Sequence, residues 1–431
     1  MYACPNIETA VNVVHADRNT PGYMRAPPET PYMFALESAI DELAYQLALD
    51  PIELRRINDT QNDPVSDLPF SSRSLMRCYD EAAARFGWNK RNRNPASMRD
   101  GDWQVGYGCA TACYPSNMAP AAARLSVTPD GRAVVGLAGH EIGTGAYTVV
   151  AITVAQSLGL KVEDVTVNMG DSDLPPVMIA GGSNNAASTA NAVVKACEEV
   201  RSRLADAAVK AHGGVFRGAD AAALKLAQGT LTDAAGRNEP WSTAVQRTGH
   251  RLEVYSEYIP EGLPASAVAD MTQGHPVMLG GHSRKDVSAF AFGAHFVEVR
   301  VHGRTREIRV ARVVSAFASG TIVNPLAAHS QFMGGTIWGL SSALWEATEI
   351  DERSARYVNR NLADYLVAVN ADVPSIEIIT VAEDDERVNP LGVKGIGEIG
   401  IVGVNAAVAN AVYHATGKRI RELPIRAEKL L

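Results

Sequence analysis

Apolar positions recur at helical spacing early in the chain. Phe34, Leu36, Ile40, Leu43, Ala44 and Leu47 fall on one side of a helix predicted over residues 34–48. Asp50-Pro51-Ile52-Glu53 opens a second helix, with an N-cap, a proline in the first turn and a glutamate three residues after the cap. A third is predicted over 74–86, closed by Gly87. Residues 88–100 are polar and basic and read as a connection between lobes. From Gly101 the period shortens to two. Residues 105–113 and 122–128 read as strands, and Pro129-Asp130-Gly131 as a hairpin turn into 134–139. Helices are predicted over 148–158, 184–212 and 326–345, strands over 162–169, 289–302 and 307–317, and a buried helix over the apolar run 401–415. Residues 1–14, largely apolar, read as a strand. The span 213–285 is less regular and reads as an insertion. Strand–strand–helix units recur, so the expected fold class is α+β, in two lobes over 1–95 and 96–431.

A chain of 431 residues with 46% apolar and 20% charged side chains is long enough to bury a large core. Its net charge of −8 argues against nucleic acid or an anionic membrane as the main partner. No segment has the long uncharged run of a membrane span, and the N-terminus lacks the basic start and apolar core of a signal peptide. Of the five cysteines only Cys109 and Cys113 are close, and a lone C-x3-C is a weak metal signal. With Tyr107 and Thr111 they alternate along one strand face, as small buried thiols would. Neither a zinc site nor an iron–sulfur cluster is expected on this chain.

The most informative stretch is Lys394-Gly395-Ile396-Gly397-Glu398-Ile399-Gly400. Its spacing matches G-x-G-x-x-G, but a dinucleotide fingerprint needs a strand directly before it and a βαβ unit around it. Here the preceding segment, 384–390, is polar and proline-broken, and too little chain follows for the second strand. A nucleotide-dependent dehydrogenase is therefore disfavoured, while a plain helix-capping role for Glu398 stays open. Three more glycine- or proline-bearing loops sit beside strand ends or helix starts: Met24 to Glu29, His140 to Gly145 and Ala180 to Asn185. Such turns present several N–H donors and suit anions. Each also has an ordinary reading. Arg25 pairs with Glu29 at the surface, His140 and Glu141 end a strand, Ser183 caps the long helix, and Asn324 and Gln331 mark a helix entry.

Taken in order, these segments resemble one family, the molybdenum-binding subunit of the xanthine dehydrogenase/aldehyde oxidase group, and within it the bacterial periplasmic-type aldehyde oxidoreductases. The resemblance covers nearly the whole chain. It runs through Tyr23-Met24-Arg25-Ala26-Pro27, Phe34 to Ala39, Asp50 to Arg55, the Glu141 and Gly181-Gly182-Ser183 loops, Asn324-Pro325 with Gln331, Lys394 to Glu398, and Arg421-Glu422-Leu423-Pro424. It implies a fold of molybdopterin-binding lobes, with 1–95 the remnant of the first and 96–431 the second. It implies molybdenum on molybdopterin cytosine dinucleotide, and oxidation of an aldehyde to the acid with water as oxygen source. Glu398 matches the family's catalytic base, and Ile396, Ile399 and Ile401 would give it apolar surroundings. Arg25 would lie beside the metal centre, and the backbone of Gly182 would approach the molybdenum. Gly143, Thr144, Gly145, Gly181, Ser183, Gln331, Lys394, Gly395 and Gly397 would hold the cofactor, and Tyr114 would line the substrate pocket.

The resemblance also implies partners. Family members carry several hundred residues before the segment at Tyr23, so a chain supplying that half is expected, with poor solubility without it. Subunits bearing a 2Fe-2S cluster and FAD would take the electrons. Localisation would be cytoplasmic, or periplasmic by export with a signal-bearing partner. Thr144 replaces the family's commoner glutamine and Ile399 its commoner proline, which leaves the substrate open. The alternative is an inactive truncated remnant that keeps the fold and a subunit contact.

Overall fold

The computed structural model describes all residues from Met1 to Leu431. Its organising element is the strand Trp103–Pro115, eleven of whose thirteen positions are buried, so both of its faces meet a core. Even positions Gly106, Gly108, Ala110 and Ala112 are small. A Cβ at Gly106 would lie 1.9 Å from the Ala411 carbonyl oxygen, and one at Gly108 2.3 Å from that of Ala407. The alanine-rich helix Val404–Thr416 therefore rides almost on the strand backbone. Odd positions Tyr107, Cys109 and Cys113 face the opposite core, with Phe292, Phe296 and helix Leu75–Phe86. Burial pushes both thiols up to about 12, as inert packing groups.

This strand belongs to a five-stranded sheet ordered Arg99–Asp100, Trp103–Pro115, Phe290–His302, Ile308–Ala318, Ser375–Thr380. The last strand is parallel to its neighbour and the other pairs are antiparallel. A second, four-stranded sheet runs Val165–Met169, Ala133–Leu137, Ala121–Val127, Leu252–Tyr258. Helices Ala146–Leu158 and Asn185–Lys210 cover it through a core of Leu125, Leu137, Val154 and Val200. The architecture is thus mixed α+β. Within 213–285, Leu252–Tyr258 is an edge strand of this sheet, paired with Ala121–Val127. The rest of that span carries a small three-stranded sheet and two short helices. No helix is long and apolar enough to cross a membrane.

Two expectations need correction. Residues 1–14 form no strand: they are mostly exposed, and their backbone bonds to the rest of the chain only through Ala3 N–H, at Asn58 O, and Met1 O, which accepts from Arg73. Apolar content alone makes no strand where no sheet edge is offered. The first helix, Glu29–Gln46, is present but turned about its axis. It buries Met33, Glu37, Ser38, Asp41 and Ala44, whereas Leu36, Leu43 and Leu47 are 36%, 41% and 53% exposed. Ion pairing explains the inversion. Glu37 and Arg55 are both fully buried and 2.8 Å apart, and Asp41 bonds Arg419 at 2.9 Å.

Candidate active site

Four remote segments converge where the Gly395–Gly400 turn leaves the first sheet. Asn389 and Lys394 anchor the turn from behind. The Asn389 amide donates to Val393 O at 2.7 Å, and the Lys394 ammonium is fully buried, 2.9 Å from both Glu383 and Asp385 and bonded to Ser72. Lys394 is therefore spent on this ion cluster at the sheet, where it also donates to Phe290 O at 3.1 Å. Turns rather than a strand precede Gly395, which removes the dinucleotide-fingerprint reading. Beyond Glu398 the chain stays in turns until helix Val404–Thr416, so Glu398 does not cap that helix.

The carboxylate of Glu398 is held from two sides instead. Ala26 N–H donates to Oε1 at 3.1 Å, and the Ser183 hydroxyl donates to Oε2 at 2.8 Å. Ile399 and Ile401 are buried beside it, with Phe332, Phe317 and Tyr114. Burial and the adjacent Glu398 carboxylate push the Tyr114 phenol well above its usual range. The Arg25 guanidinium clamps the same turn: Nε donates to Gly397 O at 2.6 Å and Nη2 to Gln331 O at 2.8 Å. Burial lowers this arginine from its ordinary value, with the Glu398 charge acting against the shift. Arg25, Ser183, Gln331, Gly397, Glu398 and Tyr114 thus form one cluster from five regions of sequence. Arg25 bonds Gln331 and the turn, and the surface pairing with Glu29 is absent from its hydrogen bonds.

The Ala180–Asn185 turn is shaped by two consecutive left-handed residues, Gly182 at φ 64° and Ser183 at φ 57°. Asn117 Nδ2 donates to Gly182 O at 2.7 Å, and Asn184 Nδ2 to Gly181 O at 2.6 Å. The Gly143 loop lies nearby, with Gln331 Nε2 3.5 Å from Gly143 O. Its own Glu141 carboxylate takes the N–H groups of Gly143, Thr144 and Gly145 at 2.7, 2.7 and 3.1 Å. Burial works to raise Glu141, but those N–H bonds outweigh it and hold the carboxyl below its usual range.

Sequence reading missed two residues here. Asn117 clamps Gly182, and only its place just beyond a strand end hints at that. Glu29 brings a second carboxyl to the cluster: Oε2 is buried without a hydrogen-bond partner, and burial, then the Glu398 charge, raises its pKa. Concavities of about 310 Å³, beside Trp345 and Ile425, and about 300 Å³, beside Arg18 and Tyr357, open elsewhere on the surface.

Comparison with known proteins adds an independent line. Two family models, both described as molybdopterin cofactor-binding domain, match residues 81–374 and 1–59. The aldehyde oxidoreductase molybdenum-binding subunit PaoC of Escherichia coli O157:H7 is 37% identical over the whole chain, which covers 55% of that protein. The xanthine dehydrogenase molybdenum-binding subunit of the same organism is 30% identical over 95% of the chain and 53% of its own length. The chain thus spans about half the length of the curated relatives it matches. Among solved structures, quinoline 2-oxidoreductase from Pseudomonas putida 86 superposes with a TM-score of 0.78 at 22% identity, over 93% of this chain and 51% of that one. The aldehyde oxidoreductase from Desulfovibrio desulfuricans ATCC 27774 gives 0.72 at 23%, over 93% and 40%.

Proposed function

The chain belongs to the molybdopterin cofactor-binding domain family, and on that premise we propose that it forms the cofactor-facing half of a molybdenum-dependent aldehyde oxidoreductase. The residues present fit such a group. Gly143 and Gly181 leave open space where a side chain would stand, and the buried Glu29 Oε2 has no partner of its own. Gly143, Thr144, Gly145, Gly181 and Gly182 would border the cofactor with Arg25 and Gln331, and for the first three to donate to it their N–H groups would have to leave the Glu141 carboxylate. The cofactor is taken as the cytosine dinucleotide form. When bound it supplies a two-electron redox centre, and partner subunits carrying 2Fe-2S and FAD would drain the electrons.

In this reading Glu398 is the general base. Its carboxylate is held in place before any substrate arrives, so a productive encounter needs no reorientation. Ala26 N–H requires Oε1 to remain an acceptor, which leaves Oε2 to carry the proton drawn from the water that becomes the acid oxygen. Apolar walls from Ile399, Phe332 and Tyr114 keep bulk water out and suit a neutral aldehyde. The single observation that carries the proposal is the doubly anchored Glu398 carboxylate facing Arg25 and the left-handed Gly182-Ser183 turn.

The experiment is Glu398→Gln in protein isolated with its molybdenum. The expected result is unchanged molybdenum and cytidine nucleotide content, with aldehyde turnover down by roughly 100- to 10,000-fold, the span of a lost general base. Near-normal turnover would remove Glu398 from this role. Protein free of molybdenum and cytidine nucleotide, however it is prepared, would remove the proposal as a whole.

A further inference from the structure

We infer that Ser183 is a positioning residue for Glu398, acting through its hydroxyl and making no contact of its own with a cofactor anion. The inference rests on the base role proposed above. A hydroxyl has one proton to donate, and here it goes to Glu398 Oε2 at 2.8 Å. What remains on Oγ is lone pairs, which repel a phosphate. While Glu398 is ionised, the same hydroxyl cannot serve both groups.

The backbone is built to aim that donor. Ser183 holds φ 57°, a left-handed conformation that a non-glycine residue keeps only where its surroundings over-determine it. Three contacts do so. A Cβ on Gly395 would lie 1.9 Å from the Ser183 carbonyl oxygen and 2.6 Å from its Cβ, so the Glu398 turn is seated directly on this residue. The Asn184 side chain, fully buried, donates to Ile179 O at 2.9 Å and Gly181 O at 2.6 Å. Asn117 Nδ2 fixes Gly182 O at 2.7 Å. Gly397 completes the fit, since a Cβ there would stand 3.3 Å from Ser183 Oγ. Two turns far apart in sequence are therefore locked as one unit, and the hydroxyl–carboxylate bond is their polar link.

This contact suits a base because it serves both protonation states. While Glu398 is a carboxylate, Ser183 donates to Oε2. Once Oε2 carries a proton, the hydroxyl rotates and accepts it, so the side chain keeps its orientation through turnover.

The test uses Ser183→Ala and Ser183→Gly in the complete, molybdenum-loaded protein. Glycine accepts a positive φ without strain, so it separates the hydroxyl from the backbone conformation. Both variants are expected to retain parental molybdenum content and near-parental KM for an aldehyde, while kcat falls roughly 10- to 100-fold, the usual effect of removing an outer orienting group. Crystals of both variants without cofactor should show the Glu398 carboxylate turned from its place between Ala26 and residue 183. Loss of molybdenum from both variants beside a loaded parent would overturn the inference in favour of a cofactor ligand. So would an unchanged kcat, or a Glu398 carboxylate left where it stands. A parent that takes up no molybdenum defeats the proposed function instead, and the crystals still decide the role of Ser183.

Discussion

At the scale of single residues, contacts of a few tenths of an ångström decide what each position tolerates. Gly395 has an ordinary φ, yet any side chain there would strike the Ser183 backbone. Gly395→Ala should fold with the turn displaced and lose most turnover, whereas Gly131→Asn, a residue type that accepts the φ of 87° there and has nothing near its added Cβ, should leave turnover unchanged. Equal activity in the two variants would sink this assignment. Lys394 makes the complementary point. The family resemblance has it reaching the cofactor, but Glu383 and Asp385, eleven and nine residues back, draw its ammonium into the sheet. No motif could reveal this, because the motif begins at Lys394. Lys394→Met would bury two carboxylates without a counter-charge, at a cost of about 3–5 kcal/mol read from the urea midpoint. A midpoint within error of the parent would contradict it. Glu398, by contrast, was legible in the sequence as a carboxylate among glycines, while its partner Ser183, 215 residues earlier, was not.

At the scale of elements, existence was readable and orientation was not always. The helices predicted over 74–86 and 184–212 appear as Leu75–Phe86 and Asn185–Lys210. The first helix was placed correctly but given the wrong inner face. Its leucines follow helical spacing, yet a fully buried Glu37 outranks them. Glu37 accepts from Thr111 N–H at 2.7 Å, Arg55 Nε at 2.9 Å and the Tyr2 hydroxyl at 2.5 Å. Pattern reading assumes that charge faces water, and a completed ion pair breaks that assumption. Stability should therefore respond in the opposite order to hydropathy. Glu37→Ala is expected to cost about 3–5 kcal/mol by leaving Arg55 buried alone, and Leu43→Ser to stay within about 0.5 kcal/mol. Thermal or urea unfolding of the pair would check this, and a larger loss in Leu43→Ser would refute it.

At the scale of the whole molecule, the mixed sheet-and-helix class was legible from the change of period at Gly101, whereas the strand orders, including the crossover that brings 252–258 beside 121–127, were not. Two buried histidines set an acid limit on this assembly. His295 donates from Nε2 to Val402 O at 3.0 Å and accepts from Ser315 at 2.7 Å. His414 accepts from Tyr107 N–H at 2.9 Å and donates to Asn92 O at 2.6 Å. Burial lowers both from 6.5 to about 4, with Arg91 adding to the shift at His414. The unfolded chain therefore binds these protons first as pH falls. Stability should be full above about 6.5 and decline toward 4, by up to about 3 kcal/mol for the fully enclosed His295. Unfolding midpoints at pH 7 and pH 5 test the sign, and a flat or inverted profile would reject it. The near-contact of helix Val404–Thr416 with Gly106 and Gly108 carries one more consequence. The turn bearing Glu398 runs straight into that helix, so the thickness of two absent side chains on a distant strand works as a shim beneath the proposed reacting centre. Methyl groups added there would lift the helix and carry the proposed base off target, and the proposed reaction could be retuned from a place no substrate ever visits.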